Sequence, residues 1–185
     1  TRSMIACAWA GRREQWGAPI GTHEAVGVQV AWIASHAFAM QALCDYVAQL
    51  ADQGDTDIRL EAALAKLFCS ETLLGVVERT VQVRGGRGYE TVRSLKARGE
   101  TPWPVERMWR EARLNTIVEG TSEVLRLFLA REALDPHLTR AGAFAKPDAP
   151  FLARAKGFLA CATYYPFYWL KRMLPRLGTP AGVPV

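Results

Sequence analysis

A chain of 185 residues, half of them apolar and 22% charged, is long enough for one substantial core and too apolar for a disordered chain. Its net charge of +5 comes from Arg and Lys spread along the sequence without a long basic run. That argues against a nucleic-acid partner and suits an anionic small ligand or a membrane surface equally well.

In chain order, residues 1 to about 14 read as a helix that stops before the Gly/Pro joint Trp16-Gly17-Ala-Pro19-Ile20. The chain opens on Thr1 already inside this helical pattern, as a piece of a longer polypeptide would. A long helix is expected from about Thr22 to Gln53, because Val26, Val30, Ile33, Ala37, Met40, Cys44, Val47 and Ala51 alternate spacings of four and three. A further helix runs from about Asp57 to Arg84 on Ala63, Leu67, Ser70, Leu74, Val77 and Val81, and Gly85-Gly86 ends it. Arg87 to Trp103 reads as an exposed loop with one helical turn near Ser94 to Arg98. Pro104 suits a first helical position and opens a helix to about Ile117. After a short joint, Thr121 or Ser122 caps a helix to Leu134, where Asp135-Pro136 is expected to stop or bend it.

The tail after Lys146-Pro-Asp-Ala-Pro150 keeps helical spacing over Phe151, Ala155, Phe158, Ala162 and Tyr165 until Pro166 interrupts, and Gly178 to Val185 reads as disordered. Its aromatic cluster lies between Arg154/Lys156 and Lys171/Arg172. That pattern fits an interfacial membrane helix over 151–172 or an added packing helix. No strand-like alternation or internal repeat is found. The expected fold is all-α: an antiparallel helical bundle over 1–145 with a C-terminal helical extension over 146–185.

Cys7, Cys44, Cys69 and Cys161 lie far apart and read as buried free thiols of a reducing compartment. His23, His36 and His137 form no ligand-spaced cluster, so no metal is expected. No signal-peptide pattern opens the chain and no uninterrupted apolar run reaches spanning length, so a cytoplasmic protein is expected, with peripheral membrane contact through the tail left open.

Three stretches exceed what packing requires. Arg13-Glu-Gln-Trp16-Gly17 places an arginine and an aromatic at a joint. Gln82-Val-Arg-Gly85-Gly86-Arg-Gly88-Tyr89 offers bare backbone that a phosphate or flat ring can approach, although its glycines end a helix instead of following a strand. Pro104-Val-Glu-Arg107-Met-Trp-Arg110-Glu-Ala-Arg113 leads to Asn115-Thr-Ile-Val-Glu119-Gly-Thr-Ser-Glu-Val124, where one carboxylate stands on a Gly-containing joint between helices. A base at such a joint and a solvated Glu beside a capping residue are both consistent with the local pattern.

This ordered set, from about Trp9 to Leu138, resembles the C-terminal helical domain of the acyl-CoA dehydrogenase family. The stretch from Gly88 to Glu100, with Ala130 to His137 and the tail, is similar to a bacterial subgroup bearing an added C-terminal segment. The resemblance implies that Glu119 is the base removing the α-proton of an acyl-CoA while a β-hydride passes to FAD. Glu119 and Gly120 would meet the substrate, Thr121 and Glu123 the flavin of the same subunit. Arg13, Trp16, Gln82 and Gly86 would meet the flavin dinucleotide of a neighbouring subunit. It further implies a homodimer or homotetramer with a shared site and an acceptor such as an electron-transfer flavoprotein.

Arg107, Arg110 and Arg113 read as structural partners of Glu106 and Glu111. Trp16, Glu24, Glu111 and Val118 depart from the family pattern. The N-terminal helical and middle β-domains of relatives have no counterpart in these 185 residues, so the chain alone is expected to be inactive. An oxidase-like enzyme of the same fold and a non-catalytic oligomerisation or membrane module are the alternative readings.

Overall fold

The computed structural model describes residues 2–54 and 57–173, and nearly all of them are helical. Helix α1 (Arg2–Arg12) is followed by a hairpin of β1 (Glu14–Gln15) and β2 (Ala18–Pro19), then a 3₁₀ turn at Ile20–Thr22. Next come α2 (Glu24–Asp52), α3 (Arg59–Arg84), the short α4 (Gly86–Tyr89) and α5 (Val92–Ala97), and α6 (Val105–Asn115). The last two are α7 (Ser122–Ala145) and α8 (Phe151–Met173). Contacts divide the chain into two units, Thr1–Leu129 and Ala130–Val185.

In the first unit α3 is the central rod, packed against α1, α2, α4 and α6. It is therefore buried on more than one face, at Ala63, Ala65, Ser70, Val76, Val77, Thr80 and Val83. Ala6, Ala10, Ile20, Ile33, Val76 and Val83 form the core, with Trp9, Trp32 and Met40 packed on it. Small residues let the helices close up. A Cβ on Gly75 would stand 3.2 Å from the Trp32 ring, which lies between His36 at 3.6 Å and the Arg79 guanidinium at 3.7 Å. The two long helices have the sequence spacing expected of them, and Gly85, at φ 59°, ends α3.

Several expectations need correction. The joint at Trp16-Gly17 is a two-residue hairpin turn with both φ values positive, 52° and 79°, pairing Glu14 with Pro19 and Gln15 with Ala18. Such a turn matches strand twist and needs only two residues on each side, too few to show alternation. The stretch 87–103 carries two short helices, α5 being capped by the Thr91 hydroxyl, which accepts from the Ser94 N–H at 3.3 Å.

Neither Pro136 nor Pro166 ends its helix. A proline removes one intrahelical hydrogen bond and bends the rod without dissolving it when tertiary contacts hold the flanks. Here His137 and Tyr165, beside the two prolines, stack at 5.7 Å and share a 3.1 Å hydrogen bond. The four thiols are free, but Cys7 and Cys44 are exposed and Cys69 and Cys161 half-buried. Helix α2 is long and apolar enough to cross a membrane by length and composition, with a mean hydropathy of 1.2 over an 18-residue window. In the fold it packs on α1 and α3 as a bundle helix. The expectation for Gly178 to Val185 lies outside the described residues.

Candidate functional site

Glu119 stands where α6 has ended and α7 has not begun. Helix α6 is amphipathic and charged on its outer face, where Glu106–Arg110 and Arg107–Glu111 pair at 2.6 and 2.7 Å. Arg113 turns instead to the hydroxyl of the buried Thr116. The chain then takes two left-handed residues in succession, Glu119 at φ 52° and Gly120 at φ 92°. A non-glycine residue there is uncommon and costs energy, so the surroundings must hold it.

Three contacts do. The Ser122 N–H donates to the Thr116 carbonyl at 3.1 Å, and the Thr121 hydroxyl caps α7 by accepting from the Val124 N–H at 3.3 Å. The third comes from far away in sequence: the Lys66 ammonium, on α3, donates to the Gly120 carbonyl at 2.5 Å. Sequence reasoning missed Lys66, because nothing local marks a lysine whose partner lies 54 residues on.

Glu119 borders an open groove of about 800 Å³ lined by Met40, Lys66, Leu73, Met108 and Val118 among others. Among the described residues its carboxylate has no hydrogen-bond or ion-pair partner. Cys44 and Cys69 lie on the same groove with their sulfurs 3.8 Å apart. Burial first, then the Cys44 hydrogen bond, pushes the Cys69 thiol up to about 11. Gly120 adjoins Glu119, and its missing Cβ would stand 3.3 Å from Leu125 Cδ2.

Thr121 and Glu123 line a smaller cleft of about 350 Å³ with Glu71, Glu78 and Arg113. The Glu123 carboxyl is held below the usual range by its own backbone N–H and the Thr121 hydroxyl, with Arg126 and Arg113 adding to the effect.

A further cleft of about 750 Å³ brings together Arg13, Gln82 and Gly86. Among the described residues, nothing beyond the adjoining backbone lies within 4 Å of where a Cβ on Gly85 or Gly86 would stand, so the backbone there faces open space. Four arginines, Arg12, Arg13, Arg84 and Arg87, line this cleft against one carboxylate, Glu100. Arg87 is tied to Glu100 at 2.6 Å and to Glu90 at 3.0 Å, and Glu90 also takes Arg98 at 3.1 Å. Arg84, the last residue of α3, is 4% exposed, and among the described residues its Nε has no hydrogen-bond partner.

Trp16 is not brought to this cleft. It stands 88% exposed at the hairpin tip, edge-on to His23 at 5.5 Å. The Arg13 cleft and the Glu119 groove share no lining residue. Among the described residues no group of three or more His, Cys, Asp or Glu is placed to hold a metal.

Residues 4–134 match the model of the acyl-CoA dehydrogenase C-terminal domain. The chain is 47% identical over 170 residues to FadE10 of Mycobacterium tuberculosis, named a probable acyl-CoA dehydrogenase, covering 92% of this chain and 26% of that protein. It is 34% identical over 121 residues to the very long-chain specific acyl-CoA dehydrogenase of Bos taurus mitochondria, covering 65% of this chain and 17% of that one. Among solved structures, butyryl-CoA dehydrogenase from Megasphaera elsdenii superposes with a TM-score of 0.62 at 25% identity, covering 72% of this chain and 32% of that one. The chain thus spans about a quarter of the length of its FadE10 relative. It belongs to the acyl-CoA dehydrogenase family, a family of oxidoreductases, and carries that family's C-terminal domain.

Proposed function

We propose that this chain supplies the catalytic base and part of the flavin cradle of an FAD-dependent acyl-CoA dehydrogenase that converts an acyl-CoA to the 2,3-enoyl-CoA. The observation that carries the reading is the unpaired Glu119 carboxylate, held on a left-handed joint over an open groove. An α-proton is a poor acid even beside a thioester, so the base must be free of competing partners and close to groups that bear the enolate charge. The Glu119 carboxylate takes the proton, and its own N–H is a donor for the thioester oxygen. Lys66 and Thr121 fix the backbone on either side. Leu73, Met40 and Val118 provide apolar wall that excludes water from an acyl chain. Thr121 and Glu123 would hold the FAD, which would supply the acceptor for the β-hydride and the link to an acceptor such as an electron-transfer flavoprotein.

The residues of the second cleft fit a dinucleotide. Gly85 and Gly86 leave the backbone open, and Arg13 with Gln82 provides donors for a diphosphate. The reading assigns Thr121 and Glu123 to the flavin of the chain's own subunit and this cleft to that of a neighbour, and the lack of a shared lining residue between the cleft and the Glu119 groove supports it. That reading entails a homodimer or homotetramer. Exposed Phe38 and Tyr46 on α2 support it as apolar surface suited to a subunit contact. Trp16, exposed at the hairpin tip, is assigned in this reading to a neighbouring subunit's flavin.

For the extension, α8 favours contact with an anionic membrane surface from the cytoplasmic side. Its sequence contains no Asp or Glu, and Phe158, Phe167 and Trp169 are exposed. The experiment that tests the main reading is absorbance of the purified protein. A flavin spectrum that bleaches without oxygen on addition of an acyl-CoA supports it, and a flavin spectrum unmoved by acyl-CoAs of every chain length contradicts it.

A further inference from the structure

Two cysteines meet between the two longest helices of the first unit. Cys44 lies on α2 and Cys69 on α3, and their sulfurs stand 3.8 Å apart. They are 25 residues apart in sequence, so the packing of the helices is what brings them together. The register of that packing is set close by. Gly75 admits the Trp32 ring, and the Cys69 S–H donates to the Met40 carbonyl at 3.9 Å. Both sulfurs line the groove that Glu119 borders, Cys44 exposed and Cys69 half-buried, so a small water-borne reagent reaches them from the groove. A cysteine kept as small apolar filler is normally buried, which Cys44 is not. The reaction proposed for Glu119 uses no thiol.

We propose that Cys44 and Cys69 are an oxidation site, forming a reversible disulfide that ties α2 to α3 across the Glu119 groove, with hydrogen peroxide as the oxidant. The Cys44 Sγ, as thiolate, attacks one peroxide oxygen. The O–O bond breaks, leaving a sulfenic acid on Cys44 and a hydroxide that takes up the proton Cys44 gave up and departs as water. The Cys69 Sγ then attacks the Cys44 sulfur. The S–O bond breaks, and the leaving hydroxide takes the Cys69 proton to give a second water. Each sulfur loses one electron, and the two peroxide oxygens gain the pair.

The surroundings set the order of attack. Cys44 is the exposed sulfur. Burial first, then the hydrogen bond with Cys44, push the Cys69 thiol up to about 11, so Cys69 keeps its proton until a sulfenic acid lies against it. Bonded sulfurs stand about 2.05 Å apart, so closing the 3.8 Å gap draws the α2 and α3 sides of the groove together. This narrows the wall assigned above to an acyl chain. That consequence rests on the acyl-chain reading; the disulfide itself does not.

The test uses the purified flavin-carrying protein, reduced with dithiothreitol, freed of it and exposed to hydrogen peroxide. Remaining thiols are then blocked and the protein is digested with trypsin. Tryptic peptides 14–59 and 67–79 hold Cys44 and Cys69. They are expected to appear joined, lighter by two hydrogens than the free pair, and to separate on renewed reduction. Cys69→Ser is expected to stop at a Cys44 sulfenic acid that dimedone captures, and Cys44→Ser to leave the Cys69 thiol intact at the same dose. Peptides that stay free, that join another cysteine or a second copy, or that carry sulfinic acid in place of the link overturn the proposal. Dimedone capture at Cys69 in Cys44→Ser overturns the order of attack. If a serine variant does not fold, the wild-type peptide map decides alone.

Flavin bleaching by an acyl-CoA separates this proposal from the reading of the groove. Oxidation is expected to leave flavin content unchanged and to raise the half-saturating acyl-CoA concentration severalfold, reversibly on reduction. A link that forms with half-saturation unmoved overturns the narrowing of the groove. A reduced protein that no acyl-CoA bleaches counts against the Glu119 reading and leaves the disulfide standing.

Discussion

At the scale of single residues, the joint between α6 and α7 is shaped by two left-handed residues of opposite tolerance. Gly120 adopts φ 92° freely, whereas Glu119 is held at 52° by its neighbours. Gly120→Ala adds both backbone strain and a Cβ at 3.3 Å from Leu125 Cδ2. It is expected to lower stability by about 1–3 kcal/mol, read as a lower urea midpoint at unchanged slope. An unchanged midpoint would show that the joint is slack.

Glu119 is singled out in the sequence because the residues flanking it form an ordered motif, and the structure sets it on an open groove. Lys66 was not, since its carbonyl partner is brought to it only when α3 packs beside the joint. Arg84 lies in plain view within Gln82–Tyr89, but its burial cannot be read from its neighbours in sequence.

At the scale of elements, α4 lends Gly86 and Arg87 to the Arg13 cleft, and Glu90 ties α4 to α5. Its carboxylate accepts from the Ser94 hydroxyl, from Arg98 and from Arg87. The Ser94 hydrogen bond first, then the Arg98 and Arg87 charges, hold this carboxyl below its ordinary value. A carboxylate whose folded value is depressed stabilises fully above its unfolded value and loses that contribution as pH falls through the folded one. Glu90→Gln is therefore expected to melt below the wild type at neutral pH, and the gap should close as pH drops below the ordinary carboxylate range. A gap independent of pH would assign the loss to packing.

Long helices α2 and α3 were readable because their apolar spacing persists over many turns. The hairpin at Trp16-Gly17 was not, because two-residue strands leave no period to detect. Pro136 and Pro166 misled for a related reason. Local chemistry favours a break, and the stacking of His137 with Tyr165, which overrides it, is a tertiary contact.

At the scale of the whole molecule, the chain carries its family's C-terminal domain and a basic, aromatic extension. Removing Ala149 to Val185 is expected to weaken co-sedimentation with vesicles of anionic lipid while leaving the thermal transition of the remaining bundle in place. Undiminished sedimentation would assign α8 to protein packing. The central claim concerns Glu119, and the most direct measurement is the rate of flavin bleaching by an acyl-CoA in the flavin-carrying protein with Glu119→Gln. The account predicts full flavin content with bleaching slowed by at least about a hundredfold. Bleaching at the wild-type rate would place the base elsewhere.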